Sequence, residues 1–234
     1  MKILLIIPAY NEQDSILNTI ADIQKNGGNV DYIVINDCST DATKSVLKRA
    51  GVPFLDLPIN LGIGGGVQTG YRFAQENDYD IAIQFDGDGQ HCAKYLQDLI
   101  APIAAGDADI TIGSRFIRKE GFQSSGLRRF GINFLSSLIY MLCGTKIHDV
   151  TSGMRAVNKD MIAFFAREYA QDYPEPEAIL SASLAGARIM EVPVQMRERS
   201  AGVSSINALK PIYYMIKVSI SLVVSRLTYG RKRK

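Results

Sequence analysis

Residues 80–91 read DIAIQFDGDGQH, an apolar run that leads directly into an acidic, glycine-containing cluster. The run at 81–83 is typical of a buried strand, because Ile and Ala fill a protein core. The acidic cluster therefore follows the carboxyl end of a strand, which is where open α/β sheets hold their ligands. This stretch predicts both a central strand and the place of a binding site.

Asp86 and Asp88 are separated only by Gly87, so in an extended backbone both carboxylates project to the same side. The glycine lets a ligand approach the main chain. Two carboxylates at this spacing suit Mg²⁺ or Mn²⁺, which complete their shell with water and substrate phosphates. Gln90 offers a further carbonyl oxygen, and His91 a nitrogen for a softer metal. The alternative is an acidic turn, since Asp and Gly are common turn residues.

The composition of the chain fits one globular unit of generous size, or one unit with an appendage. Its 234 residues are 47% hydrophobic, which supplies an ample core. The 26 basic and 24 acidic residues give a net charge of +2, which argues against a surface that coats nucleic acid. Three widely spaced cysteines without a CxxC pair fit reduced thiols in the cytosol. The apolar N-terminus is too short for a signal sequence.

Strands and helices alternate along the first half of the chain. Apolar, β-branched runs predict strands at 2–7, 32–35, 54–57, 80–83, 108–115 and 188–194. Amphipathic segments at about 15–25 and 40–50 predict helices between the first strands. This βαβα order predicts a parallel sheet with right-handed crossovers. Asp37 then lies on the same edge of the sheet as Tyr10 and Asp86.

Two further segments carry residue types that bind ligands. Residues 60–66 read NLGIGGG, but they lack the Lys-Ser/Thr of a P-loop and the glycine spacing of the dinucleotide fingerprint. These glycines, Gly64 among them, either give a helix N-terminus close access to a ligand or allow tight packing. Arg115 lies at the carboxyl end of the strand at 108–115, where its planar fork can pair with a phosphate or a carboxylate. The alternative for Arg115 is a solvated side chain.

The segment at 128–142 has an apolar stripe at helical spacing. The stripe consists of Phe130, Phe134, Leu138 and Met141. A structural core explains such a stripe, but basic residues flank it, as they flank an interfacial membrane helix. Both interpretations stay open for this helix.

The C-terminal segment at 211–228 is mostly apolar, with a narrow polar stripe that includes Lys217. We expect it to form a helix that lies in the membrane surface or docks on a membrane partner. The basic tetrad at 231–234 would be attracted to anionic lipid. A single tilted span is the alternative. The composition shift near this boundary divides the chain into a main unit at 1–207 and a docking helix at 208–234.

Two polar segments in the second half surround glycines. Residues 148–155 read HDVTSGMR, which brings a carboxylate and an arginine into one region, although an ordinary turn would look the same. Residues 197–205 are basic and lack periodicity, which is typical of a mobile loop over a ligand. Both segments are therefore candidates for parts of the site.

Seven segments, taken together, resemble the motifs of family 2 glycosyltransferases. They are PAYNE at 8–12, NDCSTD at 36–41, NLGIGGG at 60–66, DGDGQH at 86–91, GSR at 113–115, DVTSGMR at 149–155 and EVPV at 191–194. The resemblance extends to about residue 207. Within the family it is closest to the dolichyl- and polyprenyl-phosphate sugar transferases, which include dolichol-phosphate mannosyltransferases.

This resemblance implies an α/β fold, a Rossmann-like nucleotide-sugar-binding domain of the GT-A type with a mostly parallel central sheet and, here, a C-terminal amphipathic helix. The implied reaction is an inverting transfer of a hexose from a nucleoside diphosphate sugar, such as a UDP-sugar, to polyprenyl phosphate. It would depend on Mg²⁺ or Mn²⁺. The alternatives are a transferase that extends a cell-surface polysaccharide or glycolipid, and a nucleotide-sugar-binding subunit without turnover.

The resemblance also implies where such an enzyme works. It would be peripheral at the cytoplasmic face of the cell membrane, in cell wall polysaccharide biosynthesis. Its partner would be the membrane surface or a membrane protein subunit, because the chain lacks the clear C-terminal membrane helix pair of some relatives. The apolar C-terminal helix also permits a homo-oligomer without requiring one.

Motif matching implies the site residues by position. Donor contacts would come from Pro8, Ala9, Tyr10, Glu12, Asp37, Gly64 and Gly87. Metal and diphosphate would be engaged by Asp86, Asp88 and Gln90, with Asp88 counted as catalytic. Phosphates or acceptor would be approached by Arg115, Arg155 and Arg199. The chain departs from the family pattern at Asn36, where many members have a second aspartate, and at Ser205, where relatives often have lysine.

Asp149 distinguishes two kinds of acceptor. A hydroxyl acceptor needs a general base, and Asp149 is the catalytic candidate by motif position. A lipid phosphate arrives already ionised and needs positioning by arginines rather than deprotonation. The sequence alone leaves both acceptors open.

Overall fold

The computed structural model describes residues 1–118, 126–197 and 210–232, without the side chains of 127, 128, 210–212 and 230–232. Strands and helices alternate through the first part of this chain, as the apolar runs predict. The strands are β1 Ile3–Ala9, β2 Asp31–Asn36, β3 Phe54–Asp56, β4 Ile81–Gln84, β5 Ile110–Ser114, β6 Arg155–Asn158 and β7 Ile189–Pro193. The helices are α1 Ile16–Asn26, α2 Thr43–Arg49, α3 Gly62–Glu76, α4 Leu96–Ala104, α5 Gly126–Cys143, α6 Lys159–Arg167, α7 Pro174–Leu184 and α8 Lys210–Lys232.

The described strands form one seven-stranded sheet in the order β3-β2-β1-β4-β6-β5-β7. Strand β6 is antiparallel to β4 and β5, whereas every other neighbouring pair in this sheet is parallel. The expectation of a mostly parallel sheet is therefore confirmed. The chain runs from β1 outward to β3 and then returns to place β4 on the other side of β1. This reversal creates a switch point at the carboxyl ends of β1 and β4, where such sheets bind ligands.

Both faces of the sheet are buried, which explains the continuous apolar runs of its strands. Along β1, Leu4 and Ile6 join the core on the side of α3 and α5 to α8, while Leu5 and Ile7 join the core on the side of α1, α2 and α4. Successive residues of a strand point to opposite faces, so one apolar strand supplies both cores. The sheet thus holds the strand ends rigidly beneath the switch point.

Helix α5 buries a different stripe from the one that its spacing first indicates. Ile132, Leu135 and Ile139 are buried, whereas Phe130 is 71% exposed and Met141 is 75% exposed. Phe134 is also exposed, and Leu138 packs partly against the core. The core interpretation is therefore wrong for most of the predicted stripe, although the helix itself is part of the core.

Helix α8 packs on the rest of the fold through Val218 and Leu222, which are fully buried in the same cluster as the α3 and α7 core residues. Lys217 of its polar stripe pairs with Asp172 at 2.5 Å, and both side chains stay partly exposed. A second apolar stripe, which includes Ile216, Ile220 and Leu227, is exposed. In the part of the chain that the structure describes, no helix has both the length and the hydropathy of a membrane span.

Candidate active site

A cavity of about 480 Å³ opens at the switch point, above the carboxyl ends of β1, β2 and β4. Most of the residues that motif matching assigned to the donor and the metal line it. The lining consists of Pro8, Ala9, Tyr10, Glu12, Asp37, Asn60, Gly62, Ile63, Gly66, Asp86, Gly87 and Asp88. The fold therefore brings together side chains that are up to about 80 positions apart in sequence.

The loops after β1 and β2 are tied to each other at one side of the cavity. Asn11 adopts a φ of 58°, and its Oδ1 accepts a hydrogen bond from the backbone N–H of Thr40 at 2.8 Å. The backbone N–H of Glu12 donates to Oγ1 of Thr43 at 2.9 Å. These contacts hold the loop that carries Tyr10, which is itself exposed at the cavity.

Asp37 is a buried carboxylate that fixes the start of α3. Its Oδ1 accepts from the backbone N–H of Leu61 at 2.7 Å, and its own carbonyl accepts from Nδ2 of Asn60 at 3.0 Å. Burial raises the pKa of the Asp37 carboxyl, although the backbone amides of Leu61 and Gly62 act against this shift. Asp37 thus connects the end of β2 to the segment that precedes α3, and both line the cavity.

The hydrogen-bond partner of Asn36 explains why the chain departs from the family pattern at this position. Its Nδ2 donates to Oδ1 of Asp56 at 2.6 Å, between the neighbouring ends of β2 and β3. An aspartate at this position would place two carboxylates together and remove the donor. The amide therefore suits this chain's own β3.

The two carboxylates of the DGDGQH segment differ in exposure. The Asp86 side chain is 33% exposed, and Oδ1 accepts from Nε2 of Gln84 at 3.3 Å. Asp88 is 8% exposed, and its Oδ1 accepts from the backbone N–H of Gln90 at 3.0 Å. Gln90 also anchors the chain after β7, since its carbonyl accepts from the backbone N–H of Arg197 at 2.9 Å.

The oxygen atoms of the DGDGQH segment fit a hard cation whose coordination shell is completed by a bound substrate. Within the described residues no three His, Cys, Asp or Glu side chains form a group that could hold a metal alone. Asp86, Asp88 and the amide oxygen of Gln90 are oxygen donors, and Asp86 and Asp88 line the open cavity. Mg²⁺ and Mn²⁺ bind in this way, through one or two carboxylates plus water and substrate phosphates.

Arg115 and Asp149 form a buried, bidentate pair beside the cavity. Nε of Arg115 donates to Oδ2 of Asp149 at 2.7 Å, and Nη2 donates to Oδ1 at 2.7 Å. Asp149 is fully buried, and Arg115 is 6% exposed. Both carboxylate oxygens are engaged by the guanidinium, so the geometry makes Asp149 the partner that orients Arg115 and does not support the general base that the motif suggested.

The EVPV segment holds this pair in place. Oε1 of Glu191 accepts from the backbone N–H of Asp149 at 2.9 Å, and Oε2 accepts from the backbone N–H of His148 at 2.8 Å. Oε2 also lies 2.6 Å from Nδ1 of His148. Glu191 on β7 therefore fixes the turn from which Asp149 reaches Arg115 at the end of β5.

Gly153 connects this turn to the cation side of the cavity. A Cβ atom at Gly153 would lie 2.6 Å from Oδ2 of Asp86 and 3.1 Å from Nε2 of Gln84. A side chain at this position would displace the Asp86 carboxylate. One turn thus touches Arg115 through Asp149 and touches Asp86 through Gly153.

Two expected contacts are corrected by the structure. Arg155 is 3% exposed, and its guanidinium donates to the backbone carbonyls of Ser152, Glu175 and Val150, so it organises the fold instead of meeting a phosphate. Gly64 packs against the 170–171 backbone, where a Cβ would lie 2.1 Å from the carbonyl oxygen of Ala170. Tight packing, the second of the two interpretations, explains this glycine.

Two other expected residues, Arg199 and Ser205, lie outside the described residues. Sequence reasoning also missed Arg129 as a neighbour of Phe116, the residue that follows Arg115. Its guanidinium carbon lies 3.5 Å from the ring centre of Phe116, and that of Arg115 lies 5.2 Å from the same ring. Nη1 of Arg129 is buried and has no hydrogen-bond partner in the described part of the chain. The only sequence signal was its place at the start of an apolar helix that follows GSR.

Comparison with known proteins places these features in a family. Residues 4–164 match the model of glycosyl transferase family 2. A UDP-N-acetylglucosamine–dolichyl-phosphate N-acetylglucosaminyltransferase of Methanococcus voltae is 30% identical over 213 residues, 82% of this chain and 84% of that protein. An undecaprenyl-phosphate mannosyltransferase of Micrococcus luteus is 27% identical over 216 residues, 88% of each chain.

The fold also has a solved counterpart. Glucosyl-3-phosphoglycerate synthase of Mycobacterium tuberculosis, crystallised with Mn²⁺, UDP and glucosyl-3-phosphoglycerate, superposes with a TM-score of 0.71. The match covers 96% of this chain and 79% of that one, at 19% sequence identity. This likeness confirms the expected GT-A type of fold.

Proposed function

The chain belongs to glycosyltransferase family 2, and on that premise we propose that it moves a hexose from a UDP-sugar to polyprenyl phosphate at the cytoplasmic face of a membrane. The chain is a glycosyltransferase that uses a nucleotide sugar. The proposal concerns the identity of the donor, the acceptor and the cation, the residues that bind them, and the membrane contact.

The observation that carries the proposal is that one cavity is lined by Asp37 at one end and by Asp86 and Asp88 at the other. Asp37 follows β2 and Asp86 follows β4, with β1 between them. Neighbouring strands lie about 4.8 Å apart, so the backbones of β2 and β4 are roughly 10 Å apart at the sheet edge from which these two residues reach the cavity. That spacing suits a nucleoside at Asp37 and Tyr10 with its diphosphate extending to Asp86 and Asp88.

The acidic end of the cavity suits the leaving diphosphate only when a cation is present. A divalent cation held by Asp86, Asp88 and Gln90 would neutralise the charge that develops on the diphosphate. The Mn²⁺ and UDP in the mycobacterial synthase support this assignment. Gly87 lines the same cavity and brings the main chain close to the ligand.

The arginine side of the site suits an acceptor that is already an anion. Asp149 accepts a hydrogen bond from Arg115, and the guanidinium of Arg129 stacks on the ring of Phe116. The Nη1 of Arg129 is a buried donor without a partner among the residues that the structure describes, and a phosphate oxygen would satisfy it. A phosphate needs no general base, so the engagement of Asp149 by Arg115 favours a phosphate acceptor over a hydroxyl. Arg199 stays a proposed contact of the same acceptor.

Helices α5 and α8 provide the surface on which such a lipid would be met. They run side by side in the same direction, since α8 meets α5 with Met215 at Gly131 and with Arg226 at the carbonyl of Leu142. We call the exposed apolar residues of these two neighbouring helices the docking face. It consists of Phe130, Phe134, Met141, Ile216, Ile220, Val223, Val224 and Leu227, each at least 40% exposed.

We assign the docking face to the membrane surface. The spacing of its α8 residues is that of one helix stripe, and such a stripe beside basic residues fits an interfacial helix. Arg129 and Phe130 are neighbours on α5. The N–H donor proposed for the acceptor phosphate and the docking face therefore begin at the same turn of the helix. A membrane subunit or a second copy of the chain would compete for this face.

The proposal is tested by transfer from labelled UDP-sugars to undecaprenyl phosphate in mixed micelles with Mn²⁺. We expect a lipid product that resists alkali and is hydrolysed by mild acid. Arg129→Gln is expected to raise the KM for the lipid about tenfold, the worth of one charge-assisted hydrogen bond, with the KM for the donor unchanged. A product formed only on polysaccharide or glycolipid hydroxyls would contradict the proposal. UDP binding without any donor cleavage would instead favour a non-catalytic subunit.

The membrane contact is tested separately by flotation of the protein with vesicles. Anionic vesicles are expected to carry the chain and zwitterionic vesicles to carry much less. Replacement of Phe130 and Leu227 by Ser should release it. Failure to float, with transfer to micellar lipid intact, would assign the docking face to a protein partner.

A further inference from the structure

Two buried, uncharged side chains approach the Asp86 carboxylate, one at each oxygen. Nε2 of Gln84 donates to Oδ1 at 3.3 Å, and Nε2 of His91 lies 3.5 Å from Oδ2. Gln84 is fully buried, and His91 is 3% exposed. Neither side chain lines the cavity, so neither is placed to touch a substrate.

The position of the proton on His91 follows from its other nitrogen. Nδ1 accepts a hydrogen bond from the backbone N–H of Asp86 at 3.0 Å. A nitrogen that accepts carries no proton, so the neutral ring has its proton on Nε2, the atom that faces Oδ2 of Asp86. The ring packs edge-on against Phe85, with centroids 5.2 Å apart, which fixes its plane. His91 therefore presents its N–H towards the Asp86 carboxylate, 3.5 Å from Oδ2.

The orientation of Gln84 is fixed from behind in the same way. Its Oε1 accepts from the hydroxyl of Tyr169 at 3.3 Å. The amide nitrogen must then point to Asp86, because the two ends of the amide are opposed. Tyr169 packs against Tyr71 and Phe165, with ring centroids 5.5 and 5.2 Å away, so its hydroxyl is held in place.

The arrangement of Gln84 and His91 leaves part of the Asp86 carboxylate available to a cation. A carboxylate has about four lone-pair sites, two on each oxygen. His91 and Gln84 approach one site on each oxygen, which leaves the other site of each for the cavity. Both donors are uncharged, so the carboxylate keeps its full negative charge for a cation. An arginine in either place would orient Asp86 equally well but would cancel that charge.

We propose that His91 and Gln84, the latter held by Tyr169, are positioning residues that keep the Asp86 carboxylate in the orientation that binds the cation. This inference rests on the proposed function, which makes Asp86 a cation ligand. Groups that orient a metal ligand typically change metal affinity by about 10- to 100-fold when they are removed. The role is therefore visible in metal binding, without any measurement of turnover.

The test uses two substitutions that each keep one half of the imidazole. His91→Gln keeps an N–H near the position of Nε2, and His91→Asn keeps an acceptor near the position of Nδ1. Each variant is titrated with Mn²⁺ in the presence of UDP, with bound metal followed by electron paramagnetic resonance. UDP binding without metal and the melting temperature are measured alongside.

We expect His91→Asn to weaken Mn²⁺ binding by about tenfold and His91→Gln by less than about threefold, with metal-free UDP binding unchanged in both. Equal Mn²⁺ affinity in the two variants, or wild-type affinity in His91→Asn, would overturn the inference. Mn²⁺ binding that is absent from the unaltered chain would overturn the proposed function as well.

Tyr169→Phe keeps the test decisive if the histidine variants fail to fold. It removes only the hydroxyl that orients Gln84 and leaves the ring packing on Tyr71 and Phe165 intact. We expect Mn²⁺ affinity to fall by about threefold, the worth of one ordinary hydrogen bond. Unchanged affinity in this variant and in Gln84→Met would contradict the inference.

Discussion

Asp86 and Asp149 lie near the same edge of the sheet, yet their surroundings are opposite. Asp86 is one-third exposed and is approached by the uncharged Gln84 and His91. Asp149 is fully buried and is gripped by the guanidinium of Arg115. The first arrangement leaves a negative charge for a cation, and the second cancels a charge to fix an arginine. The partners of a carboxylate, more than its place in a motif, therefore decide what it can do.

The largest contrast is expected in stability. Asp149→Asn leaves the buried charge of Arg115 without a counter-ion, so we expect the free energy of unfolding to fall by about 3–5 kcal/mol. Asp86→Asn, at a partly exposed site with uncharged neighbours, should change it by less than about 1 kcal/mol. Urea unfolding followed by circular dichroism measures both values.

The double variant Arg115→Gln/Asp149→Asn is the control for that contrast. It should lose much less stability than the sum of the two single variants, because the pair acts as a unit. Additive losses, or equal losses for Asp149→Asn and Asp86→Asn, would break the distinction between the two carboxylates.

The second contrast is in turnover. Asp88→Asn should lower kcat by about 10²- to 10³-fold, because the charge on the leaving diphosphate would lose its stabilisation. Asp98→Asn, at an exposed aspartate on α4, is the matched control and should leave kcat unchanged. Steady-state assays at saturating Mn²⁺ and donor measure both. A wild-type kcat in Asp88→Asn would remove this residue from the catalytic set.

Gly153 offers a smaller and more selective perturbation, because it touches the cation side only. In Gly153→Ala the added Cβ would push the Asp86 carboxylate, and Mn²⁺ affinity should fall by about tenfold. Gly126→Ala adds a Cβ that meets no atom of the described residues within 4 Å and serves as the control. Calorimetric titration measures the Mn²⁺ affinity of both variants. Equal affinities would show that Asp86 tolerates the displacement.

Asp37 is a third carboxylate, held by backbone amides, and it should give the smallest effect. Because burial raises its pKa, this group takes up a proton at a higher pH than a solvated aspartate as the solution is acidified. We expect metal-free UDP binding to weaken by roughly threefold through that protonation, the worth of one hydrogen bond. In Asp37→Asn the affinity should not depend on pH over that range.

Protonation of Asp37 does not itself unfold the chain. A raised carboxyl pKa means that the folded chain binds the proton more tightly than the unfolded chain does, so acidification through this pKa does not destabilise the fold by way of Asp37. Equal pH profiles of UDP binding in the unaltered chain and in Asp37→Asn would exclude the carboxylate from nucleoside binding.

The central strands and their shared edge could be predicted from sequence because parallel strands buried on both faces read as continuous apolar runs. Strand β6 could not be predicted: its four residues, RAVN, are too few to show a period, and they follow a polar turn. That strand separates β4 from β5 and brings Gly153 against Asp86. The neighbourhood of Asp86 therefore depends on a tertiary pairing that leaves little local signal.

The helices show the same limit. The polar stripe of α8 is visible in sequence, but its direction depends on Asp172, which pairs with Lys217 across the fold. Helix α5 has two apolar stripes, one buried at Leu135 and one exposed at Phe134. Periodicity detects both stripes and cannot choose between them. Likewise, Asp149 is recognisable as a site residue, but its pairing with Arg115 is a contact across 34 positions.

The central claim is that Asp86 and Asp88 hold a divalent cation which in turn binds the diphosphate of the donor. Its most direct test is calorimetric titration of UDP, with and without Mn²⁺, into the unaltered chain and into Asp86→Ala/Asp88→Ala. We expect Mn²⁺ to tighten UDP binding to the unaltered chain and to have no effect on the double variant. An equal gain in UDP affinity in both proteins would contradict the claim.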